Sequence, residues 1–340
     1  MGKMTYSQVG DIKKPAAKIC MGSMVLTLKD DVTGSEWMEK TKADSFTFMD
    51  EAYELGYDTY DTAIIYAGQE SELTIGEWME DRGLREKMFI LDKGGALCTS
   101  LTKFGPEAMM RDIFISLDRL RTNYIDLYMP HRDNPEVPIE ELIDALAYMQ
   151  QKGYIHGYGG SNWIDINRTK RAIEYAKEKG YPEFIAAQPG YTLAVPIDHA
   201  WSETDECLND PKYRKNLEFY KETQMAIFTW SSMARGFWSG VYDRGTAPKY
   251  KDTWDKTCIK SFWGEPNWQR MDRVKEYSVH IGASVPNIAL AWLLNQPLKI
   301  HPIIGANNRA DLESNLVALD IKMDQQTREW LNLETDERPW

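Results

Sequence analysis

The chain has 340 residues, 43% hydrophobic and 27% charged, a balance ordinary for a globular protein and too apolar for disorder. Lys and Arg number 40 against 52 Asp and Glu, so the net charge of −12 argues against wrapping nucleic acid or lying on an anionic membrane, both of which need a basic excess. At roughly 150 residues per domain the length allows two domains, but single α/β barrels often exceed that figure, and a chain this long buries on the order of 75% of its unfolded surface without staples.

The N-terminus MGKMTYSQVGDIKKP lacks the apolar stretch of a signal peptide, and Tyr6 stands where myristoylation needs Ser or Thr. From there, short continuous apolar runs at 18–24, 57–63, 87–94, 124–130, 155–161, 184–188, 225–230 and 300–305 read as strands buried on both faces of a parallel sheet. Helical patterns lie between them at 43–55, 70–82, 107–121, 138–151, 165–179, 212–223, 286–295 and 309–318. The first stops at Gly56, the third aligns Met110, Ile113, Phe114, Leu117 and Leu120, and the fourth has Pro138 in its first turn. Ser284 and Asn308 are N-caps for the last two.

Eight such alternations fit a (β/α)8 TIM-type barrel or a doubly wound sheet. The doubly wound fold calls for a G-x-G-x-x-G turn after the first strand, where this chain has Met21-Gly22-Ser23-Met24, so the barrel is preferred. Stretches 191–211 and 238–266 read as long functional loops. With no linker or repeat in view, one domain spans 1–340. Cys20, Cys98, Cys207 and Cys258 form no C-x-x-C pair and fit a reducing, cytoplasmic setting. The most apolar stretch, 288–306, is interrupted by Asn295, Gln296, Pro297, Lys299 and His301, so no transmembrane helix is expected.

Barrel chemistry sits at the C-terminal strand ends. There the second strand carries Asp61, with Tyr66 just beyond it, the third Lys93 and the fourth His131. A buried Lys93 needs Asp61 as counter-charge, and its ammonium is expected to lower the Tyr66 pKa from about 10. A phenol so tuned can give or take a proton, and His131 can bond the same substrate oxygen. No Ser or Cys stands beside a base, no carboxylates face one another and no metal-ligand spacing occurs, so no metal is expected. Carbonyl–alcohol interconversion with hydride from a cofactor fits this set. His156, His199, His280 and His301 read as structural, Arg132 and Asp133 as a mutual rim pair, and Trp201, Trp238, Trp254, Trp263 and Trp268 as packing or sugar-stacking groups.

The motifs YDTAIIY (60–66), GSN (160–162), AQPGY (187–191), TWSSMARG (229–236) and IIGANNRADLESN (303–315), with Lys93 and His131 at their strand ends, resemble the aldo-keto reductase superfamily in order and spacing. LYMPHRDNP (127–135) looks closer to a bacterial branch with LHRDDP-like strand ends. The resemblance implies a (β/α)8 barrel with a short N-terminal hairpin at about 5–18 and an extended nicotinamide cofactor. It casts Tyr66 as general acid/base, tuned by Lys93 and Asp61, with His131 orienting the carbonyl. Ser161, Asn162 and Gln188 would bond the carboxamide, Trp230 stack on the ring, and Ser231, Ser232, Met233, Arg235 and Gly236 hold the pyrophosphate. Gly22, Ser23, Met24, Asp61, Gly305, Ala306, Asn307, Arg309, Asp311 and Asn315 complete the expected cofactor set; Met24, Ile65 and Trp163 are expected to line the substrate pocket. Gly305-Ala306 replaces a Lys-Ser of some members and Asp311 replaces a stacking Arg, an acidic change that favours NADH. Arg309 and Asn307 could still take a phosphate, so NADPH is the expected cofactor. The substrate is a small carbonyl, sugar or polyol. The rival readings are a cofactor-sensing subunit on the same fold and a sugar or polyol dehydrogenase working oxidatively.

Overall fold

The computed structural model describes residues 2–29, 41–95, 105–199, 205–245 and 253–340. β1 (Tyr6–Ser7) and β2 (Ala16–Ala17) pair as an antiparallel hairpin. Eight parallel strands then close a barrel: β3 (Cys20–Gly22), β4 (Thr59–Asp61), β5 (Phe89–Gly94), β6 (Leu127–Pro130), β7 (Tyr158–Ser161), β8 (Phe184–Gln188), β9 (Ala226–Thr229) and β10 (Ile300–Ile304), with β10 returning to β3. Each lies inside one of the runs read from the sequence. The fold is a (β/α)8 barrel with an N-terminal hairpin.

The helices are α1 (Lys42–Glu54), α2 (Ser71–Arg82), α3 (Pro106–Arg119), α4 (Ile139–Gln151), α5 (Ile166–Lys179), α6 (Arg214–Thr223), α7 (Thr253–Phe262), α8 (Glu265–Ile281), α9 (Val285–Leu294), α10 (Arg309–Val317) and α11 (Gln325–Leu331). Their ends follow local chemistry. Thr41 and Asp44 cap each other's backbone N–H at the start of α1, Asp165 caps α5, and Ser284 and Asn308 cap α9 and α10. The stretch 238–266 is corrected: it holds α7 and the start of α8 rather than a loop. The buried face of α8 includes Trp268, Met271, Val274 and Tyr277, a strict three-residue spacing that drifts off a 3.6-residue period and hides the helix in the sequence. Trp238 and Trp268 are buried, and Phe237 meets them at ring distances of 5.0 and 4.9 Å, so these tryptophans are packing groups. Trp201 and the Trp254 side chain lie outside the described residues.

Strand alternation positions the site. Phe89 and Leu91 of β5 and Leu127 and Met129 of β6 cluster with Ala186, Ala226, Phe228 and Ile303 inside the barrel. Val9, Ile12 and Ala16 from the hairpin join that cluster and close the N-terminal end. Two residues further along, the same parity turns Lys93 and His131 inward at the opposite mouth. A separate apolar layer, including Trp78, Tyr128, Leu146 and Trp292, packs helices on the outer strand faces. Each large apolar side chain so buried stabilises by about 1.5–3 kcal/mol. Among the described residues, no single helix is long and apolar enough to cross a membrane.

His301 sits in the closed end. Its Nδ1 lies 2.8 Å from the Ala17 carbonyl, its Nε2 3.0 Å from Ser7 Oγ, and its ring stacks 4.7 Å from Phe228. Burial, then the nearby Lys18 charge, pushes its pKa down to about 3. The unfolded chain therefore binds this proton first on acidification. Stability associated with neutral His301 is complete above about pH 6.5 and falls toward pH 3, by up to about 1.4 kcal/mol per pH unit. His301→Gln should flatten the slope of denaturation free energy between pH 6 and pH 4 relative to wild type. Parallel slopes in the two proteins would contradict this assignment.

Candidate active site

The barrel mouth is organised around a buried charge pair. Lys93 Nζ lies 2.5 Å from Asp61 Oδ1, and Lys93 and Asp61 are 0% and 4% exposed. The ammonium also donates to the Thr62 carbonyl at 2.7 Å. Gln188 Nε2 donates to the same Asp61 oxygen at 2.6 Å, and Ser161 Oγ donates to Gln188 Oε1 at 3.0 Å. Asn162 Nδ2 reaches Ser161 Oγ at 2.9 Å, and Trp230 Nε1 reaches Asn162 Oδ1 at 3.0 Å. A continuous hydrogen-bonded arc thus crosses the mouth from β5 through β4, β8 and β7 to the end of β9. Trp230 keeps an exposed face, while Ser161, Asn162 and Gln188 are buried.

Tyr66 hangs over this arc from a 3-10 turn, Tyr66–Gln69. Lys93 Nζ is 4.8 Å from its ring centroid, and the His131 ring is 5.6 Å away at 77°. The expected acidic shift of Tyr66 is corrected. Burial pushes its pKa well up, the Asp61 charge adds to that, and Arg132 only partly opposes it. Asp61 neutralises Lys93 at contact distance, so the phenol meets little net positive field from the pair. His131 is held well below its usual range by burial, then by the Lys93 and Arg132 charges. Both groups are neutral near pH 7. Among the described residues, nothing hydrogen-bonds His131 Nδ1.

Other sequence readings land differently. Arg132 and Asp133 do not pair with each other: Arg132 Nη2 reaches Asp205 Oδ1 at 2.9 Å, and Arg168 Nε reaches Asp133 Oδ2 at 2.7 Å. These partners come from distant segments, and neither carries a signal in the sequence. The Ser23 hydroxyl donates to the Asp61 carbonyl at 2.7 Å and accepts from Ser71 at 2.6 Å, so it ties β3 to β4. The Ser232 hydroxyl donates to the Thr229 carbonyl at 2.8 Å. Trp163 is buried against Phe184 at 5.1 Å, whereas Met24 and Ile65 are partly exposed beside the strand ends. Arg309, read as a phosphate ligand, ion-pairs with Glu54 at 2.8 Å and Glu313 at 3.0 Å. The Asn307 backbone N–H donates to Asp311 Oδ2 at 2.9 Å, and Asn315 is nearly buried in α10. Gly305 is exposed and Ala306 buried.

The segment after Trp230 is tightly turned. Ser231, Ala234, Arg235 and Gly236 have φ of 52, 49, 54 and 89°. Two N–H groups of this turn are already taken: Ala234 donates to the Ser231 carbonyl at 2.8 Å and Gly236 to the Met233 carbonyl at 3.1 Å. Arg235 is half-buried in that segment; burial pushes its pKa down to about 10, opposed by the Asp205 charge. Its Cζ lies 5.8 Å from the Trp230 ring centroid. Met233 is partly exposed in the same segment. Among the described residues, no three His, Cys, Asp or Glu side chains are grouped to hold a metal ion.

A model of the Aldo/keto reductase family matches residues 18–331. The chain belongs to this family. It is 25% identical over 341 residues to "Uncharacterized oxidoreductase YrpG" of Bacillus subtilis, covering 97% of this chain and 95% of that one. A crystal structure of the thermostable aldo-keto reductase Tm1743, in complex with the inhibitor epalrestat, aligns with TM-score 0.70 and 24% identity over 97% of this chain and 99% of that one. An aldo-keto reductase from Klebsiella pneumoniae in complex with NADPH aligns with TM-score 0.67 and 18% identity over 100% and 97% of the two chains. As an aldo/keto reductase, the chain is an NAD(P)H-dependent oxidoreductase, and the family points to small carbonyl compounds as substrates.

Removing one member of the central pair leaves a buried charge uncompensated. Lys93→Met should lower the unfolding free energy by about 3–5 kcal/mol, read from urea denaturation. A loss below about 1 kcal/mol would mean that the pair is not organising the mouth.

Proposed function

We propose that this aldo/keto reductase interconverts an aldehyde, ketone or sugar carbonyl with its alcohol, and that residues 1–340 act as one barrel domain. The observation that carries the reading is a neutral, half-buried Tyr66 placed over the buried Lys93–Asp61 pair and beside neutral His131. A nicotinamide dinucleotide, when bound, supplies the hydride. Everything else falls to the chain. Tyr66 holds the proton that the carbonyl oxygen takes in reduction, and receives it back in oxidation. Lys93, fixed by Asp61 beneath the Tyr66 ring, forms with it the rigid polar floor on which the phenol is set. His131, whose Nδ1 has no partner among the described residues, orients the substrate oxygen.

The residues of the mouth fit the cofactor. Ser161, Asn162 and Gln188 offer amide and hydroxyl groups fixed by the hydrogen-bonded arc, suited to a carboxamide. The half-buried Trp230 ring is assigned the stacking on the nicotinamide, and the adjoining turn 231–236, with the Arg235 guanidinium in it, the pyrophosphate. We retain NADPH over NADH. Arg309 is half-buried at the surface, and each of its two surface ion pairs is worth about 0–1 kcal/mol, so a doubly charged phosphate competes well for the guanidinium. Asp311 opposes that preference and keeps it small. The buried free thiols Cys20, Cys207 and Cys258 support a cytoplasmic setting.

Tyr66→Phe should lower kcat for aldehyde reduction by about 10²–10⁴-fold while the Kd for NADPH stays within about twofold. Normal turnover in a folded Tyr66→Phe protein would overturn the assignment. Tight NADPH binding without turnover in the wild type would favour a cofactor-sensing role.

A further inference from the structure

Immediately after Tyr66 the backbone takes an unusual path. Ala67, Gly68 and Gln69 have φ of 51, 63 and 76°, three consecutive residues in the left-handed region. Side chains disfavour that region at two of the three positions, so the turn needs support from its surroundings. The support comes from one guanidinium, at the C-terminus of α3. Arg119 Nη1 donates to the Ile64 carbonyl at 3.1 Å and to Glu72 Oε2 at 3.0 Å, and Arg119 Nη2 donates to Gln69 Oε1 at 2.6 Å. The two ends of the Tyr66 segment are thus fixed by a single planar group.

The arginine is itself held in place. Glu72 is fully buried in the first turn of α2, and Asp92, on the outward face of β5 next to Lys93, is buried with it. Asp92 Oδ1 accepts the Lys93 backbone N–H at 2.8 Å. The close seating of α2 on α3 depends on Gly76, where an added Cβ would lie 2.2 Å from the Arg119 carbonyl oxygen. Arg119, Glu72, Asp92 and Gly76 all stand outside the hydrogen-bonded arc across the mouth.

We propose that Arg119 is a positioning residue for the proton-transfer step: bridging Ile64, Gln69 and Glu72, it holds the left-handed turn that sets the Tyr66 phenol over Lys93. The inference rests on the proposed role of Tyr66. Arginine suits this task because its fork serves three acceptors in one plane, which a lysine ammonium at the same site does not reproduce.

The test compares wild type, Arg119→Ala, Arg119→Lys and Tyr66→Phe, with NADPH and 4-nitrobenzaldehyde as probes. In Arg119→Ala, amide hydrogen exchange should quicken at least tenfold across 62–70 and stay unchanged in β6. The kcat should fall at least tenfold, with the NADPH Kd within twofold of wild type. Added guanidinium should restore part of the Arg119→Ala rate, and Arg119→Lys should remain impaired despite its charge. Wild-type kcat in Arg119→Ala, beside an inactive Tyr66→Phe, would overturn the positioning role alone. Exchange quickened throughout the barrel with NADPH binding lost would overturn it in favour of a purely structural role. A Tyr66→Phe protein as active as wild type would instead overturn the reading on which it rests.

Discussion

A buried ammonium is the constraint on which the barrel mouth depends. Lys93 is fully enclosed, and such a charge persists only with a counter-ion and saturated hydrogen bonds. Asp61 and the Thr62 carbonyl supply these from β4 and the segment just beyond it. The carboxylate then needs further donors, and Gln188 answers from β8. Each answer orients the next group, through Ser161 and Asn162 to Trp230. One electrostatic requirement thereby fixes side chains on strands that are far apart in the sequence.

The same pair explains the protonation states around it. Beyond burial, each group feels one member of the pair: the Asp61 charge raises Tyr66 and the Lys93 charge lowers His131, so both stay neutral. Burial dominates both groups, raising the phenol and lowering the imidazole. Uncharged groups around a polarised centre suit a reaction whose charge develops only in passing. The opposite, closed end repeats the burial argument without the chemistry: His301 is neutral there for packing reasons, between Ser7, Ala17 and Phe228.

Much of this was legible in the sequence. The strand runs were readable because a parallel sheet buried on both faces is continuously apolar. The inward parity of Phe89, Leu91 and Lys93 follows from a two-residue repeat. What failed depended on distance in space. Arg132 and Asp133 are adjacent in the chain, but their side chains turn to Asp205 and Arg168. The sign of the Tyr66 shift was misread because the Lys93 charge was considered without the burial of the phenol, which dominates, and without Asp61 beside it. Glu72 and Asp92 carried no signal in the sequence, because their burial depends on the packing of α2 and α3 around them. The helix α8 was missed because its buried residues recur every three positions.

The measurement that bears most directly on the mouth as a dinucleotide site is titration of folded, cofactor-free protein with NADPH and with NADH, read by quenching of tryptophan fluorescence. The account predicts saturable quenching by both, tighter for NADPH, with the quenching reduced in Trp230→Leu. Binding of neither nucleotide would contradict it.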